Sequence, residues 1–434
     1  MTAMHRPELF LYIFLLVYLW FSAYISYAPI PFFQLDGVNI YLGDAFFAIF
    51  VFLSIMHVFK KEKMKRQRLG LNGAIMVYCI WLLICILRGA PEWGHSAFGE
   101  ARFAMWVFLY FPIIQIIDTR DKMNRLLRNF MYIVLSYVIL RVPYRYFVQF
   151  DKDLYMMLQS KQVGWDISLL LGFIFIFLYS LYLSGLIDRK RKAFVVSTML
   201  FCVTIIMLSA RTGILALVVA TAFIIIINMR KMAELIKPSF LIISALLVGI
   251  AIYVNPLSVN VEVDPEILKT YSAIPRTGFD AIFLPSSTWY TGTVGWRLKG
   301  WANLFDQSLT NNPVFGEGFG AYYNIYGIEY EGVPPHNDWL IIFSKMGLIG
   351  LAMFILIVYR FYRIGFMYIR LSKDKMNQAY MKAFLGIFLA GLVAGTFFFF
   401  IPFMWVAAGL QTTLVNITKS DLSGGAEMKG ADGQ

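Results

Sequence analysis

Charged side chains are scarce in this sequence. They make up 15% of its 434 residues, whereas 59% of the residues are hydrophobic. A typical soluble domain has about 25% charged residues and about 45–50% apolar ones. The scarcity of charge therefore excludes an ordinary soluble domain and predicts an all-α polytopic membrane protein.

Cysteine and histidine are also rare. The chain has three cysteines, of which Cys79 and Cys85 share one apolar segment and Cys202 lies in another. This distribution excludes a disulfide framework and a cysteine-based metal site. Because the chain has only four histidines, a histidine that stands among other polar residues is a candidate for acid–base chemistry.

Long apolar runs make up most of the chain. A helix that crosses a bilayer needs about 20 apolar residues, and about twelve runs approach this length. They cover residues 9–28, 39–59, 71–88, 102–117, 125–148, 163–186, 193–210, 212–229, 238–254, 337–360, 377–396 and 398–415. The predicted organisation is nine spans within residues 1–254, one large outer segment at 255–335, three spans within 336–415 and a disordered cytoplasmic tail at 416–434.

Lysine and arginine are divided unequally between the two sets of loops. Most of the 38 lie in alternate loops, at residues 60–68, 118–128, 189–192, 230–237 and 360–382. Loops rich in these residues stay in the cytoplasm, so we expect both termini there and the large segment outside. The net charge of +12 is mostly this topology signal, with contact to membrane lipids as a side effect. It predicts no nucleic-acid partner.

The outer segment, residues 255–335, carries too many polar and turn residues to cross the membrane. A connection of this length is usually functional or independently folded. Within it, GWRLKGWANLF predicts a short helix on the membrane surface, with its tryptophans at headgroup level. Gly316, Gly318 and Gly320, in NNPVFGEGFGAYYN, predict a structurally required tight turn.

Arginines collect at outward or boundary positions. Arg211 stands in LSARTGILAL, a short hinge between two spans, where an arginine is costly unless it faces a wet cavity or a partner. Arg141 and Arg145 are four residues apart and share a helix face. Arg297 and Arg276 lie in the outer segment. Since guanidinium groups match phosphate oxygens, these five arginines are candidate ligands of a diphosphate.

Four of these arginines also have a plainer interpretation. Arg211 can snorkel from a helix end to the interface. Arg141 and Arg145 can anchor their segment at the interface together with neighbouring aromatic residues. Arg276 can be a solvated loop residue. The sequence leaves these alternatives open.

Aromatic residues are dense in the outer segment and include Trp301, Tyr322 and Tyr323. Sugar rings present C–H faces that stack on aromatic planes, so we expect these three residues to contact a glycan. Most of the other aromatic residues are expected to form the core of the segment or an interfacial belt.

His336 stands where the outer segment re-enters the membrane, in PPHNDWLIIFSKMGLIGL. A neutral imidazole removes a proton from an attacking hydroxyl at about pH 7. Asn337 and Asp338 either orient this imidazole or cap the following helix, because both residue types are favoured at helix N-caps. Capping does not explain His336, so we predict that His336 is a catalytic base and that Asn337 contacts the glycan or the acceptor.

A metal site is a weaker alternative. Asp151 and Asp153 have the spacing of a pair that, with a diphosphate, binds Mg²⁺, but Lys152 lies between them. An exposed Asp-Lys-Asp sequence is usually solvated. We therefore expect no metal and no cofactor.

Three blocks of this sequence, LSARTGILAL, GWRLKGW with NPVFGEGFGAY, and PHNDWLIIFSKMGLIGL, resemble the signature blocks of the bacterial O-antigen ligase and polymerase superfamily. The blocks cover roughly residues 205–355, and the layout of spans is similar over the whole chain. The resemblance implies a GT-C-like membrane fold and a metal-independent, inverting glycosyltransferase. It also implies an inner-membrane enzyme with its active site at the periplasmic face.

The resemblance further implies substrates and roles. The donor is an undecaprenyl-diphosphate-linked glycan, and in the ligases the acceptor is a sugar hydroxyl of lipid A-core. Arg211 matches the arginine of the ligases between the seventh and eighth spans, and His336 matches their histidine after the large loop. Arg141 and Arg145 fall near the region where the ligases have further donor-binding arginines.

Three functions remain open at this point. One dominant outer loop that ends in histidine favours a ligase. A polymerase that joins two lipid-linked repeats is the alternative within the same enzyme class. A transporter of lipid-linked sugar belongs to a different class, and it is less favoured because Asp44 and Asp166, in or near spans, have no evident partner at the same depth.

Overall fold

The structure of the chain is a computed structural model. It describes residues 12, 33–35, 38–40, 47–49, 52, 71–148, 163–207, 211–228, 293–321, 323–325, 328–330, 337–397 and 402–431.

Helices account for most of the described part. In chain order they are α1 (Leu71–Trp93), α2 (His95–Ala104), a 3₁₀ turn (Met105–Leu109), α3 (Tyr110–Ile116), α4 (Arg120–Val148), α5 (Val163–Leu183), α6 (Arg189–Met207), α7 (Arg211–Ile227), α8 (Thr293–Asn311), α9 (Asp338–Leu371), α10 (Lys375–Phe397) and α11 (Pro402–Ala431).

Two short antiparallel hairpins accompany the helices among the described residues, and the fold is predominantly helical, as predicted. Strand β1 (Phe33–Leu35) pairs with β2 (Val38–Ile40), and β3 (Tyr323–Ile325) pairs with β4 (Ile328–Tyr330). The strands consist mostly of aromatic and aliphatic residues, and the two residues between each pair include a glycine, as short hairpin connections require.

Helix α10 is central to the packing. It contacts α5, α7, α9 and α11. Close approach depends on Gly386, where an added Cβ would lie 2.9 Å from Ile176 Cγ2 on α5 and 3.0 Å from Ile224 Cδ1 on α7. On another side of α10, the ring of Phe388 stacks on Phe361 of α9 with centroids 3.9 Å apart. Small residues and stacked aromatic rings thus allow close van der Waals packing between helices. In a bilayer this packing matters because the hydrophobic effect does not drive helices together.

The described helices are those of a membrane protein. Within the described part, three are long and apolar enough to cross a bilayer, namely Leu71–Trp93, Asp338–Leu371 and Lys375–Thr396. Shorter apolar helices run over Met105–Ile116, Leu169–Leu183 and Gly213–Ile227. A total of about twelve spans stays a prediction, since the predicted span 238–254 and most of 9–28 and 39–59 lie outside the described residues.

The predicted span 102–117 is helical up to Ile116 but is not one regular α-helix. Its chain leaves α2 at Ala104, passes through the 3₁₀ turn and restarts as α3. Pro112 is the physical reason, because it has no N–H for a bond to the preceding turn. Proline fits best in the first turn of a helix, where the N–H groups have no intrahelical partner, and Pro112 is the third residue of α3.

Helix α11 continues to Ala431, into the region 416–434 that the sequence predicts as a disordered cytoplasmic tail. Thr418 links its extension to the neighbouring helices. The Tyr368 hydroxyl on α9 lies 2.5 Å from the Thr418 hydroxyl, and Asn377 of α10 donates to the same oxygen at 3.4 Å.

Candidate active site

The start of α9 is fixed by Asn337, the residue that follows His336. The Asn337 side-chain oxygen accepts hydrogen bonds from the backbone N–H of Trp339 at 3.1 Å and of Leu340 at 3.2 Å. This is an N-cap, which satisfies two donors that the first helical turn leaves without partners. The capping interpretation of Asn337 is therefore confirmed, and its contact with a glycan stays a prediction. His336 itself lies outside the described residues.

The first turn of α9 is also tied to α10. The indole N–H of Trp339 donates to the Thr396 hydroxyl at 3.0 Å. The same indole packs edge-on against Phe354, with ring centroids 5.1 Å apart. Asp338, the first residue of α9, is buried. These contacts give the segment that directly follows His336 a defined place in the helix bundle.

Helix α9 is interrupted at Gly347, whose backbone has φ 69° and ψ −171°. The interruption leaves backbone donors and acceptors without partners inside the helix. Residues 312–321, which we name the glycine turn, supply them. Leu348 donates to the Pro313 carbonyl at 2.8 Å, and Ile349 donates to Val314 at 3.3 Å.

The glycine turn also donates in the opposite direction. The Glu317 N–H binds the Ser344 carbonyl at 2.7 Å, and the Gly318 N–H binds the Lys345 carbonyl at 3.1 Å. Irregular backbone at this depth is tolerated in a membrane protein only when other protein groups satisfy it. The glycine turn does this for α9.

Helix α1 contacts the glycine turn on the side opposite α9. Arg88 donates through its two terminal nitrogens to the carbonyls of Phe315 at 2.9 Å and Gly316 at 3.0 Å. The Trp81 indole donates to the Met346 carbonyl at 3.0 Å, beside the interruption of α9. The turn is thus held between α1 and α9.

The alternating glycines are required by this close packing. Gly316, Gly318 and Gly320 have φ values of 74°, 86° and 91°, which side chains other than hydrogen rarely permit. A Cβ at Gly320 would also lie 2.6 Å from the Cβ of Trp93 and 2.7 Å from the Ala97 nitrogen. The predicted tight turn is confirmed.

A buried ion pair lies under the glycine turn. Lys345 of α9 and Glu100 of α2 are 3.0 Å apart, and their side chains are 0% and 2% exposed. The Lys345 ammonium also donates to the Ala321 carbonyl at 2.6 Å, and the Gly320 N–H donates to the Glu100 carboxylate at 2.7 Å. Buried charges persist when they are paired and hydrogen-bonded in this way.

Glu317, within the glycine turn, is a further charged residue of this region. Its carboxylate accepts from Asn311 at 3.2 Å and from Gln307 at 3.5 Å, both on α8. Burial raises the pKa of the Glu317 carboxyl above its ordinary value. The charge of Lys345 and the two amide hydrogen bonds offset part of this rise, whereas the nearby Glu100 adds to it.

Sequence reasoning missed the Lys345–Glu100 pair. A signal was present, because Lys345 is the charge inside the predicted apolar span 337–360, away from Asp338 and Arg360 near its ends, and such a charge needs a partner. Its partner is far away in the sequence, in the segment after α1. No local pattern connects the two residues.

Helix α8 brings part of the outer segment against α9. The ring of Phe305 packs on Phe343 of α9 with centroids 5.6 Å apart, and Leu304 is buried. The predicted helix is present as α8 and packs against the first half of α9, whereas its position on the membrane surface stays a prediction. Trp301 lies on α8 and is partly buried, and Arg297 lies on α8 with its side chain outside the described part.

The other predicted residues are placed less completely. Arg211 is the first residue of α7, and Arg141 and Arg145 lie in the last turns of α4, in each case with the side chain outside the described part. Tyr323 begins β3, a strand that contacts α8. Arg276 and Tyr322, like His336, lie outside the described residues.

The structure therefore brings together α8, β3, the glycine turn and the start of α9. Helix α7, which begins at Arg211, packs instead against α5 and α10. Among the described residues, no group of three or more histidine, cysteine, aspartate or glutamate side chains is placed to bind a metal ion.

Comparison with known proteins gives one family match. Residues 194–355 match the family model described as O-antigen ligase. The matched region begins in α6 and ends in α9, so it includes α7, α8 and the glycine turn. No curated protein matches the chain.

Proposed function

Because residues 194–355 match the family model described as O-antigen ligase, we propose that the chain is an O-antigen ligase of the O-antigen ligase and polymerase superfamily. In this proposal the enzyme moves a glycan from undecaprenyl diphosphate to a sugar hydroxyl of lipid A-core. The reaction takes place at the periplasmic face of the inner membrane, inverts the anomeric carbon and uses no metal ion.

One observation carries the proposal. The family match covers the region in which the glycine turn and the Asn337 cap fix the start of α9, the segment that directly follows His336. A catalytic base needs a backbone that is held in place by its surroundings. Here the fixation comes from three other segments, namely α1, α8 and α10.

The proposed roles follow from charge. The His336 imidazole accepts the proton of the acceptor hydroxyl as that oxygen attacks the anomeric carbon. Arg211 binds the diphosphate and offsets the negative charge that grows on it as it leaves. Arg141, Arg145, Arg276 and Arg297 are proposed as further donor ligands, and Trp301, Tyr322, Tyr323 and Asn337 as contacts to the glycan or acceptor.

The test is a product analysis by mass spectrometry. Purified protein is incubated in EDTA with an undecaprenyl-diphosphate-linked glycan and lipid A-core. The proposal predicts lipid A-core that has gained the mass of the glycan. Lengthened polyprenyl-linked glycan without attachment to lipid A-core would identify a polymerase instead. If no product forms in EDTA and product formation is restored by Mg²⁺, the metal-independent mechanism is contradicted.

The pH dependence of transfer tests the base separately. A histidine accepts a proton from the hydroxyl only while it is neutral, so the rate should fall on the acid side as the imidazole gains its own proton. An unperturbed histidine changes charge between about pH 5 and 8. A rate that is flat over this range would count against His336 as the base.

Two observations bear on the transport alternative. The interruption of α9 and the buried Lys345–Glu100 pair are features that transporters use for substrate sites. In this chain, however, the glycine turn binds the backbone groups beside the interruption, and the two charges bind each other. Exchange of lipid-linked sugar across liposomes without a covalent product would support transport.

A further inference from the structure

We propose that Lys345 is a positioning residue that, through Glu100 and the glycine turn, holds the first half of α9 in register with α8. The inference rests on the proposed function, in which His336 stands directly before α9 and α8 carries Arg297 and Trp301. Its test below includes a measurement that does not depend on that function.

The ion pair joins three separate segments. Glu100 belongs to α2, Lys345 belongs to α9, and both bind the end of the glycine turn. The Glu100 carboxylate accepts from the Gly320 N–H at 2.7 Å, and the Lys345 ammonium donates to the Ala321 carbonyl at 2.6 Å. Since water does not reach the pair, each charge depends on these partners.

Lys345 binds the glycine turn at two points. Its backbone carbonyl accepts from the Gly318 N–H at 3.1 Å, and its ammonium holds Ala321. Both bonds lie just before Gly347, where α9 is interrupted. The half-helix Asp338–Met346 is therefore connected to the glycine turn by side chain as well as by backbone, whereas its connection to the rest of α9 passes through a glycine.

The glycine turn is also connected to α8, by the chain and by hydrogen bonds. It follows Asn311, the last residue of α8. Glu317 within the turn accepts hydrogen bonds from Asn311 and Gln307 of that helix. On its other side, Tyr323 of β3 follows Ala321 after one residue. A shift of the turn would therefore move the predicted donor and glycan residues relative to the start of α9.

The test uses the double variant Glu100→Gln with Lys345→Met. Removing both charges together avoids a buried charge without a partner, which single substitutions would create. Lys382→Met is the matched control, because Lys382 also joins two helices, through a 2.6 Å bond to Asn228 just after α7. Both variants are purified as full chains and normalised to the folded fraction.

The first measurement is transfer of glycan from undecaprenyl diphosphate to lipid A-core. We expect kcat of the double variant to fall about tenfold to a hundredfold, because a displacement of about 1 Å has this effect on a reaction. KM for the donor should stay within about twofold, since an interaction that acts on orientation changes kcat and not ground-state binding. The control should keep its kcat. A merely structural role would reduce the amount of folded protein and leave kcat of the folded fraction unchanged.

The second measurement is amide hydrogen exchange, which needs no activity. In the double variant, exchange in residues 316–321 and 341–346 should become at least about tenfold faster, as local opening becomes easier. Exchange in α7 should not change. Unchanged exchange at the turn, or unchanged kcat of the folded double variant, would overturn the inference. If the wild-type protein transfers no glycan, the proposed function fails. The hydrogen-exchange measurement alone then tests the positioning role of Lys345.

Discussion

Gly89 shows how single atoms determine the packing beside the candidate site. It lies in α1 opposite the backbone of Phe319 in the glycine turn. An added Cβ would overlap the Phe319 carbonyl oxygen and would lie 2.8 Å from its nitrogen. Backbone atoms cannot rotate away as a flexible side chain can, so α1 and the turn would have to separate.

We therefore expect Gly89→Ala to destabilise the protein by about 1–3 kcal/mol, the usual cost of overpacking. Gly172→Ala, in α5, is the matched control, because no described atom lies within 4 Å of its added Cβ. In a helix interior this substitution should be neutral or stabilising. Thermal unfolding in detergent measures both. Equal melting temperatures for the two variants would contradict the described contact.

Glu317 gives a second prediction at this scale, on pH. Burial raises its pKa in the folded protein, so the folded state holds this proton more firmly than the unfolded state does. The stability it contributes is present below the ordinary glutamate pKa of about 4.3 and is lost as the pH rises through the raised value.

Glu317→Gln mimics the protonated carboxyl at every pH. We expect this variant to be more stable than the wild type at about pH 7.5, and the difference to vanish near about pH 4. Urea unfolding at the two pH values is the measurement. A larger gain for Glu317→Gln in acid than at neutral pH would have the wrong sign.

At the residue scale, the sequence predicts local chemistry and misses distant partners. The cap at Asn337 and the glycine turn are predictable, because capping and positive φ depend on residue type and near neighbours. The Lys345–Glu100 pair is not, because its two residues meet only after α1, α2 and α9 have packed.

The turn between α9 and α10 shows how one residue organises two elements. Asp374 caps α10 by accepting from the backbone N–H of Met376 at 2.7 Å and of Asn377 at 3.3 Å. It also pairs with Arg120, at the start of α4, at 2.6 Å. Burial alone would raise the pKa of Asp374, but the hydrogen bonds from Arg120 and the two backbone groups outweigh it, and the pKa is lowered.

Two substitutions separate the cap from the ion pair. Asp374→Ala removes both and should cost about 1 kcal/mol, the usual value of an N-cap. Asp374→Asn keeps a good cap and should cost less, because the side chains of the pair are 39% and 38% exposed and such pairs contribute about 0–1 kcal/mol.

The two Asp374 variants also differ from the wild type in a pH-dependent way. Since the folded pKa is lowered, the contribution of Asp374 is present above the unfolded pKa and is lost as the pH falls through the folded value. The stability difference between the wild type and Asp374→Ala should therefore shrink in acid. Urea midpoints across an acid titration test this, and a difference that grows as the pH falls would refute it.

At the element scale, hydropathy predicts where helices lie and not where they are interrupted. Helices α5, α6 and α7 occupy the places where the sequence predicts spans at 163–186, 193–210 and 212–229. Hydropathy does not reveal the interruption of α9 at Gly347. The glycine changes the backbone dihedral angles at that point, but the run of residues around it stays apolar. The groups that fill it come from the outer segment, which hydropathy treats as a loop.

At the scale of the whole molecule, the account depends on orientation in the membrane. The basic residues at the start of α6, Arg189–Lys192, are exposed, as expected for a cytoplasmic loop. The outer segment 255–335 is predicted to lie on the opposite side. The described contacts fix the helices relative to one another. The distribution of lysine and arginine predicts which side of the membrane each loop faces.

Cysteine labelling tests this orientation. The native Cys79, Cys85 and Cys202 are buried, so they should react slowly with a membrane-impermeant maleimide. Lys190→Cys should be labelled only after the membrane is permeabilised, whereas Ser286→Cys should be labelled in intact spheroplasts. The reverse pattern would place the candidate site in the cytoplasm and exclude a periplasmic acceptor.

Long-range assembly is what the sequence predicts least at this scale. The contact of α1 with α9 and the central place of α10 arise from many side chains that are far apart in the chain. The family match over residues 194–355 reaches α9 but not α1 or α10. The surroundings of the candidate site therefore extend beyond the region that the family match identifies.

The most direct test of the central claim is the single-turnover rate of glycan transfer to lipid A-core by His336→Ala in EDTA. Wild type and His57→Ala serve as references at equal amounts of folded protein, because His57 lies near the end of the predicted span 39–59 that meets the predicted cytoplasmic loop 60–68. The account predicts that His336→Ala loses at least about a hundredfold in rate, the usual contribution of a general base, while His57→Ala keeps it. Transfer by His336→Ala at the wild-type rate would contradict the account.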